Sequence, residues 1–312
     1  MSITLNKEQF TNQNEVRWCP GCGDYAILSA LQKTLPQLGL PPEQHVFVSG
    51  IGCSGRLPYY INAYGYHTIH GRATAVASGL KLSRPDLNVW VITGDGDGLS
   101  IGAGHLMHLL RRNINVNILL FNNQVYGLTK GQFSPTSVLG QITKTSPRGV
   151  SQMPVNPIQF ALGSGASFVA RSIDKDPMHL AEVLKAAHAH PGCSFIEIYQ
   201  DCHVFNAGAF DEFSTKTQRG THTVALESGK PLLYAEKGLV LEGDRLQVSH
   251  DTAKAMVHDS QNLMHAMRLS QLEFPEFPVP IGVFYQNPEK PPYAFEHHWE
   301  KSVDKLHDLY RK

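Results

Sequence analysis

The 312-residue sequence has no excess of charge of either sign and no long apolar run. It contains 27 basic and 27 acidic residues, so it offers no electrostatic attraction to a polyanion, and we expect no nucleic-acid partner. No apolar run is long enough to span a membrane, and residues 1–17 lack the apolar core of a signal peptide. Its 16 histidines are scattered without a zinc-binding spacing. We therefore expect a cytoplasmic protein without a membrane partner.

Cysteine is scarce, and five residues in a cytoplasmic chain point to metal or redox chemistry instead of a disulfide framework. Cys19 and Cys22 form a Cys-x-x-Cys pair, which is also compatible with a dithiol redox pair, although no strand precedes it. Cys53 and Cys202 each follow a predicted strand. Four thiolates suit zinc or an iron–sulfur cluster, and the wide separation of the last two favours a cluster. Cys193 precedes an apolar strand and is interpreted as a buried thiol.

Apolar runs of strand length alternate with segments of helical periodicity in the first two thirds of the chain. This alternation predicts an α/β fold with a doubly wound, mostly parallel sheet. The predicted strands are residues 46–48, 88–93, 115–121, 167–171 and 194–199, and the predicted helices are residues 25–35, 73–82, 101–110 and 177–188.

The most informative motif is Gly-Asp-Gly-Asp at residues 94–97, followed after a helix and a strand by Asn-Asn at 122–123. Gly-Asp-Gly alone is typical of an ordinary turn. The glycines also let backbone amides approach a diphosphate, while Asp95 and Asn123 supply oxygen ligands for Mg²⁺. The paired motif resembles that of thiamine-diphosphate (ThDP) enzymes.

Four candidate ligands share a position relative to the predicted strands, because Cys53, Asp95, Asn123 and Cys202 each follow a strand end. In open α/β sheets the ligand crevice lies at the carboxyl ends of the strands. The sequence therefore predicts that all four meet at one edge of the sheet.

From about residue 204 the pattern changes, and no further active-site motif is present. We divide the chain into an α/β domain that binds ThDP and the cluster, residues 1–205, and a C-terminal extension, residues 206–312, which packs on the core or on a partner subunit. Within the extension, the patterns predict one arm of a hairpin at 238–243, a helix at 251–269, an extended segment at 278–284 and a final helix after residue 295.

Taken together, these motifs resemble the β subunit of 2-oxoacid:ferredoxin oxidoreductases, the ThDP-binding subunit, and most closely the 2-oxoglutarate type. The resemblance covers most of residues 15–205 and is specific only as a combination. It rests on residues 18–25, 50–54, 70–72, 94–97, 122–132 and 134–136.

This resemblance implies three cofactors, namely ThDP, Mg²⁺ and one 4Fe–4S cluster. It implies that the cluster is bound by Cys19, Cys22, Cys53 and Cys202, and that Mg²⁺ is held by Asp95, Asn123 and the carbonyl of Val125. The full set of implied cofactor contacts is Ile51, Gly52, Cys53, His70, Gly94, Asp95, Gly96, Asp97, Asn123, Val125 and Leu128.

Several of these assignments have a simpler alternative. His70 is placed against the diphosphate but could only cap a helix, and Leu128 is placed under the thiazolium ring but could only pack a loop. Arg56 follows Cys53 closely and is predicted to bind the second carboxylate of 2-oxoglutarate, because guanidinium pairs bidentately with carboxylate. A surface role or a diphosphate contact is the alternative for Arg56, and Lys130 and Arg72 are rivals for the substrate.

The implied reaction is the CoA-dependent oxidative decarboxylation of 2-oxoglutarate to succinyl-CoA and CO₂ with reduction of ferredoxin, or the reverse carboxylation. No glutamate in the sequence stands out for activating ThDP, and the resemblance places that residue on an α subunit. We therefore expect an (αβ)₂ assembly. The alternatives are a pyruvate or broad 2-oxoacid oxidoreductase, a non-redox ThDP decarboxylase or synthase, and a non-enzymatic iron–sulfur protein.

Overall fold

The computed structural model describes residues 5–294 and is built around an eight-stranded sheet. The strands are β1 His45–Ser49, β2 Tyr64–His67, β3 Asn88–Gly94, β4 Asn117–Asn122, β5 Phe168–Ile173, β6 Ser194–Tyr199, β7 Thr223–Leu226, β8 Leu233–Tyr234, β9 Lys237–Glu242, β10 Arg245–Ser249 and β11 Val279–Gln286. The helices are α1 Asp24–Thr34, α2 Ala73–Ser83, α3 Ala103–Arg112, α4 Pro157–Gly163, α5 Pro177–Ala189, α6 Asp211–Ser214, α7 Lys216–His222 and α8 Leu263–Leu269.

The main sheet has the strand order β2-β1-β3-β4-β6-β5-β11-β7, and only the β5–β11 pair is antiparallel. This confirms the predicted doubly wound, mostly parallel sheet. All five predicted strands and all four predicted helices of the first two thirds are present, with ends within two residues of the prediction. No helix in residues 5–294 has the length and apolar character needed to cross a bilayer.

Alternate residues of the central strands pack into two separate cores, one on each face of the sheet. In β3, Val89 and Val91 lie on the face covered by α2 and α3, whereas Trp90 and Ile92 lie on the face covered by α1 and α5. Because side chains alternate along a strand, a strand buried on both faces is apolar throughout, and this explains the uninterrupted apolar run of β3.

Within residues 5–205, one strand and one α-helix escaped the sequence analysis for local reasons. Strand β2 is exposed at all four positions, so no apolar alternation marks it. Helix α4 has only seven residues, and its one clear signal is a cap: the Asn156 side chain accepts hydrogen bonds from the amides of Ile158 and Gln159.

The chain after residue 205 contributes to both sheets. Strands β7 and β11 extend the main sheet, and β8–β10 form a small antiparallel sheet that includes the predicted hairpin. The predicted helix at 251–269 is wrong over most of its length, since a helix begins only after Asn262, whose side chain caps the His265 amide. The final helix predicted after residue 295 lies outside the described residues. The division at residue 205 stays a prediction.

Candidate active site

The carboxyl ends of four adjacent strands meet at one edge of the sheet. Strands β1, β3, β4 and β6 are neighbours and run parallel, and the loops that follow them carry Cys53, Asp95, Asn123 and Cys202 respectively. The sequence-based prediction of a shared edge is therefore confirmed by the strand order.

A narrow cavity of about 90 Å³ lies at this edge, and we call it the inner crevice. All eleven implied cofactor contacts line it, although they come from four separate stretches of sequence. The structure also places Ser54, Phe121, Tyr126, Gly127 and Thr129 in its wall, which the sequence analysis did not single out. The eleven are Ile51, Gly52, Cys53, His70, Gly94, Asp95, Gly96, Asp97, Asn123, Val125 and Leu128.

Gly96 has a steric reason to be glycine. Tyr126 lies across it and donates its hydroxyl hydrogen to the Gly96 carbonyl at 2.9 Å. A Cβ at position 96 would come within 2.2 Å of the Tyr126 ring, so any larger residue would displace that ring from the wall of the crevice. Glycine at position 96 thus lets Tyr126 stay in the wall of the crevice.

Asp97 joins three loops of the site and has its carboxylate oxygens occupied. Oδ1 accepts from the amides of Ile51 and Gly71, at 3.0 and 2.7 Å, and from His70 Nδ1 at 2.6 Å. Oδ2 accepts from Thr93 Oγ1 at 2.7 Å. What Asp97 leaves for a ligand is its backbone amide, at the start of the π-helix Asp97–Ile101, and π-helical turns often occur at functional sites.

His70 is oriented by this carboxylate. Because Nδ1 carries the hydrogen that Asp97 accepts, Nε2 is the ring nitrogen left to face the inner crevice, and no other hydrogen bond of the ring forms within residues 5–294. The ring also packs edge-on against Tyr126, with centroids 6.3 Å apart. The side chain is therefore held in a position from which Nε2 can contact an anion.

Asp95 is 2% exposed, and its environment suits a cation. Burial raises its pKa to about 6, although hydrogen bonds from Ser134 and Thr136 lower the pKa again. Such a carboxylate is stabilised by a bound positive charge, and two further oxygen ligands lie in the same crevice wall. The Asn123 Oδ1 atom accepts from the Val125 amide at 3.2 Å, and the Val125 carbonyl accepts from Gly127 at 3.1 Å, so each oxygen keeps a lone pair. This donor set fits Mg²⁺.

Four of the five cysteines lie around the same end of the sheet. Cys19 and Cys22 are joined by a turn in which the Cys22 amide donates to the Cys19 carbonyl at 3.1 Å. Gln200 Nε2 donates to Cys22 Sγ at 3.3 Å, and Trp18 Nε1 donates to the Cys53 carbonyl at 2.7 Å. These bonds connect the cysteine loops to the ends of β1 and β6.

Burial of these thiols disfavours the thiolate. It raises the pKa of Cys53 to about 12, and it also raises the pKa values of Cys22 and Cys202, with further contributions from neighbouring thiols and Asp24. A bound cationic centre would reverse this effect. Within residues 5–294, no three His, Cys, Asp or Glu side chains converge closely enough to hold a single metal ion. Cysteine sulfurs bind both zinc and iron–sulfur clusters, so the thiols at this end of the sheet are chemically suited to either.

Cys193 is separated from the other four. It immediately precedes β6, at the opposite end of that strand from Cys202, and it is fully buried in an apolar core. Its interpretation as a buried thiol is confirmed.

A second, wider cavity of about 560 Å³ adjoins the inner crevice, and we call it the outer cavity. The two share Ile51, Gly52 and Leu128, so these residues form the boundary between them. Arg56 lines the outer cavity and is anchored by a hydrogen bond from Nη1 to the Arg17 carbonyl at 3.0 Å. The sequence analysis missed six polar residues that line the outer cavity, namely Asn14, Glu15, Arg17, Tyr59, Tyr60 and His67.

The two rivals of Arg56 do not line either cavity. Lys130 is exposed on a loop with φ +77°, and Arg72 donates Nη1 to the carbonyls of Gly71 and Ile101. The structure therefore separates Arg56 from the other two cations by position alone.

Comparisons with known proteins agree with this arrangement. Residues 50–198 match the family model "Thiamine pyrophosphate enzyme, C-terminal TPP binding domain". The chain is 51% identical over 274 residues to the 2-oxoglutarate oxidoreductase subunit KorB of Mycobacterium tuberculosis, covering 85% of this chain and 73% of that one. It is 42% identical over 276 residues to the β subunit of 2-oxoacid:ferredoxin oxidoreductase 1 of Aeropyrum pernix, covering 88% and 79%.

The chain belongs to the family of 2-oxoacid:ferredoxin oxidoreductase β subunits. The fold agrees with a solved structure, the 2-oxoglutarate:ferredoxin oxidoreductase from Magnetococcus marinus with 2-oxoglutarate, coenzyme A and succinyl-CoA bound. The TM-score is 0.77 at 32% identity, covering 98% of this chain and 92% of the other. As a member of this family, the chain contains a ThDP-binding domain, and the inner crevice lies within the matched region.

Proposed function

We propose that this chain is the β subunit of a 2-oxoglutarate:ferredoxin oxidoreductase. The enzyme would convert 2-oxoglutarate and CoA to succinyl-CoA and CO₂, passing two electrons to ferredoxin, or would run in reverse. The observation that carries the proposal is the inner crevice, where the Gly-Asp-Gly loop and Cys53 share one wall beside a cavity containing Arg56. A ThDP site, an electron acceptor and a carboxylate-binding group are thereby brought together.

The residues of the crevice have distinct roles in this proposal. Asp95, Asn123 and the Val125 carbonyl hold Mg²⁺, while the backbone at Gly96 and the Nε2 atom of His70 bind the diphosphate. When bound, ThDP supplies the nucleophilic carbon, and the 4Fe–4S cluster takes up the electrons. Leu128, which is 49% exposed at the boundary of the two cavities, would contact the bound cofactor through its apolar side chain. Cys19, Cys22, Cys53 and Cys202 bind the cluster.

The substrate preference rests on Arg56. 2-Oxoglutarate carries a second carboxylate that pyruvate lacks, and a guanidinium in the outer cavity provides a charge-assisted partner for it. Its anchoring to the Arg17 carbonyl limits the positions that the side chain can adopt. A pyruvate or broad 2-oxoacid enzyme is the second candidate, favoured if Arg56 contacts CoA or diphosphate instead.

An α subunit is needed to complete the site. Activation of ThDP requires a carboxylate at the aminopyrimidine. In the described wall of the inner crevice the only acidic residues are Asp95 and Asp97, and both are already hydrogen-bonded within the chain. We propose that the α subunit supplies this group, that the enzyme is a cytoplasmic (αβ)₂ assembly, and that ferredoxin is the electron partner. The purified lone chain should show no turnover.

The test is an anaerobic co-purification of the chain with its α subunit. Iron and ThDP are quantified, and CoA-dependent viologen reduction is assayed with 2-oxoglutarate and with pyruvate. We expect about four irons and one ThDP per β chain, with 2-oxoglutarate preferred. ThDP without iron would indicate a non-redox ThDP enzyme, and iron without ThDP would indicate an electron carrier. Full turnover by the lone β chain would exclude the shared active site.

A further inference from the structure

The segment Ser134-Pro135-Thr136 directs two hydroxyl groups at one carboxylate oxygen. Ser134 Oγ lies 2.5 Å from Asp95 Oδ2, and Thr136 Oγ1 lies 2.6 Å from the same atom. All three side chains are at most 3% exposed. The proposed function gives this segment no role, although it adjoins the residue that would bind Mg²⁺.

The two bonds leave the other carboxylate oxygen for a ligand. A carboxylate is an acceptor, so the Ser134 hydroxyl donates to Oδ2, and the Thr136 hydroxyl divides its one hydrogen between Oδ2 and the Asn122 amide oxygen. Within residues 5–294 no side chain donates to Oδ1, and Asp95 lines the inner crevice. These contacts on Oδ2 restrict rotation of the carboxylate, so Oδ1, which has no side-chain donor in the described part of the chain, keeps a fixed orientation.

Thr136 is itself held from the other side. Its Oγ1 atom is 2.9 Å from Asn122 Oδ1, and Asn122 Nδ2 donates to Glu197 Oε1 at 2.7 Å. Since the amide nitrogen must face the carboxylate of Glu197, the amide oxygen faces Thr136. Glu197 is in turn paired with Arg171 at 2.7 Å in the core. A buried ion pair thus fixes Asn122, and the single hydrogen of the Thr136 hydroxyl is shared between Asn122 Oδ1 and Asp95 Oδ2.

We propose that Ser134 and Thr136 are positioning residues for the cation of the cofactor site, holding Asp95 so that Oδ1 is its metal-binding oxygen. The proposal rests on the proposed function in that it assumes a divalent cation beside Asp95. It assigns a role to two residues that contact neither diphosphate nor substrate.

The experiment measures cation binding directly. The substitutions T136V, T136S and S134A are made in this chain, and each variant is purified as a complex with the α subunit. Each complex is titrated with Mn²⁺ in the presence of ThDP, and free Mn²⁺ is followed by electron paramagnetic resonance. Thr136→Val keeps the shape of the side chain and removes the hydroxyl, so we expect a Kd for Mn²⁺ about 10- to 100-fold higher, and a similar direction for Ser134→Ala. Thr136→Ser keeps the donor and should bind Mn²⁺ nearly as the natural enzyme does.

Ser137→Ala is the matched control. Ser137 lies in the same segment and is 1% exposed, but its hydroxyl accepts from the Ser134 amide and donates to the Gln124 carbonyl at 2.6 Å, without contacting Asp95. Its loss should lower thermal stability without raising the Kd for Mn²⁺. Circular dichroism of each complex identifies any variant that fails to fold. If Thr136→Val fails to fold, Ser134→Ala tests the positioning role in its place.

The outcomes separate the two proposals. If the natural complex binds no Mn²⁺ that depends on ThDP, the proposed cofactor site is wrong and the positioning role fails with it. If the natural complex binds Mn²⁺ and the Thr136→Val and Ser134→Ala complexes bind it equally well, only the positioning role is wrong. An equal weakening of Mn²⁺ binding in Ser137→Ala would likewise overturn the positioning role, because a general loosening of the segment would then explain the effect.

Discussion

Cys53 and Cys202 lie far apart in the sequence, yet their sulfur atoms flank the same glycine. A Cβ at Gly127 would lie 3.7 Å from Cys53 Sγ and 3.4 Å from Cys202 Sγ. The loop after β4 therefore approaches the loops after β1 and β6 at this glycine. Because Gly127 also lines the inner crevice, the proposed cluster and the proposed ThDP site are neighbours across one backbone segment.

This relationship predicts different results for two cysteine substitutions. Cys202→Ala should abolish cluster binding, and iron per β chain should fall well below the expected four. Cys193→Ala should retain full iron content, because Cys193 lies at the other end of β6 and only loses some packing in the core. Iron is measured on anaerobically purified complexes. Equal iron in both variants would remove Cys202 from the ligand set.

Arg56→Ala should reduce kcat/KM for 2-oxoglutarate by roughly ten- to a hundredfold, corresponding to about 1.5–3 kcal/mol for a charged hydrogen-bonded partner, and should spare pyruvate turnover. Arg72→Ala and Lys130→Ala serve as controls, since neither side chain lines the outer cavity. Steady-state kinetics with both substrates check the prediction. A parallel loss with both substrates would mean that Arg56 does not distinguish them.

Glu197→Gln should destabilise the folded chain strongly. It would leave the Arg171 guanidinium, which is 5% exposed, without its charged partner, and breaking a buried pair in this way costs about 3–5 kcal/mol. Glu182→Gln is the comparison, because the Glu182–Lys185 pair is exposed and contributes less than about 1 kcal/mol. Urea unfolding measures the loss of unfolding free energy in each variant. Equal losses in Glu197→Gln and Glu182→Gln would show that Arg171 finds another partner.

His45 should make stability depend on pH. It is fully buried, Nδ1 accepts from Trp90 Nε1 at 3.2 Å, and burial lowers its pKa from 6.5 to about 4. The unfolded chain therefore binds more protons than the folded chain between these pH values, and the stabilising contribution is lost as pH falls from about 6.5 to 4. Between pH 7.5 and pH 5 this amounts to about 2 kcal/mol.

His45→Gln removes this titrating group, so its unfolding free energy should fall less between pH 7.5 and pH 5 than that of the natural chain. His250→Gln is the control, because His250 is exposed and should leave the pH dependence unchanged. Urea unfolding at pH 7.5 and pH 5 measures the change in unfolding free energy for each variant. An unchanged pH dependence in His45→Gln would show that another group dominates the acid sensitivity.

The core of the fold was predictable because its signals are local. A strand such as β3 is apolar along its whole length since both of its faces are buried, and helix α5 begins at a proline that follows its Asp176 cap. Strand β2 and the start of helix α8 were not predictable in this way. The edge position of β2 leaves it without an apolar pattern, and the apolar spacing at 251–269 was compatible with a helix longer than the one that forms.

The sequence alone determined which chemical groups stand at strand ends: two separated thiols, a Gly-Asp-Gly turn and an Asn pair. Their identity is given by residue type, and their position at a strand end is given by the apolar pattern of the preceding strand. Only the tertiary structure decided what each group contacts. Asp97 uses its carboxylate to join three loops, Asp95 receives two hydroxyls from residues 134 and 136, and Arg56 alone among the candidate cations reaches a cavity. Such contacts join residues distant in sequence, and no local pattern encodes them.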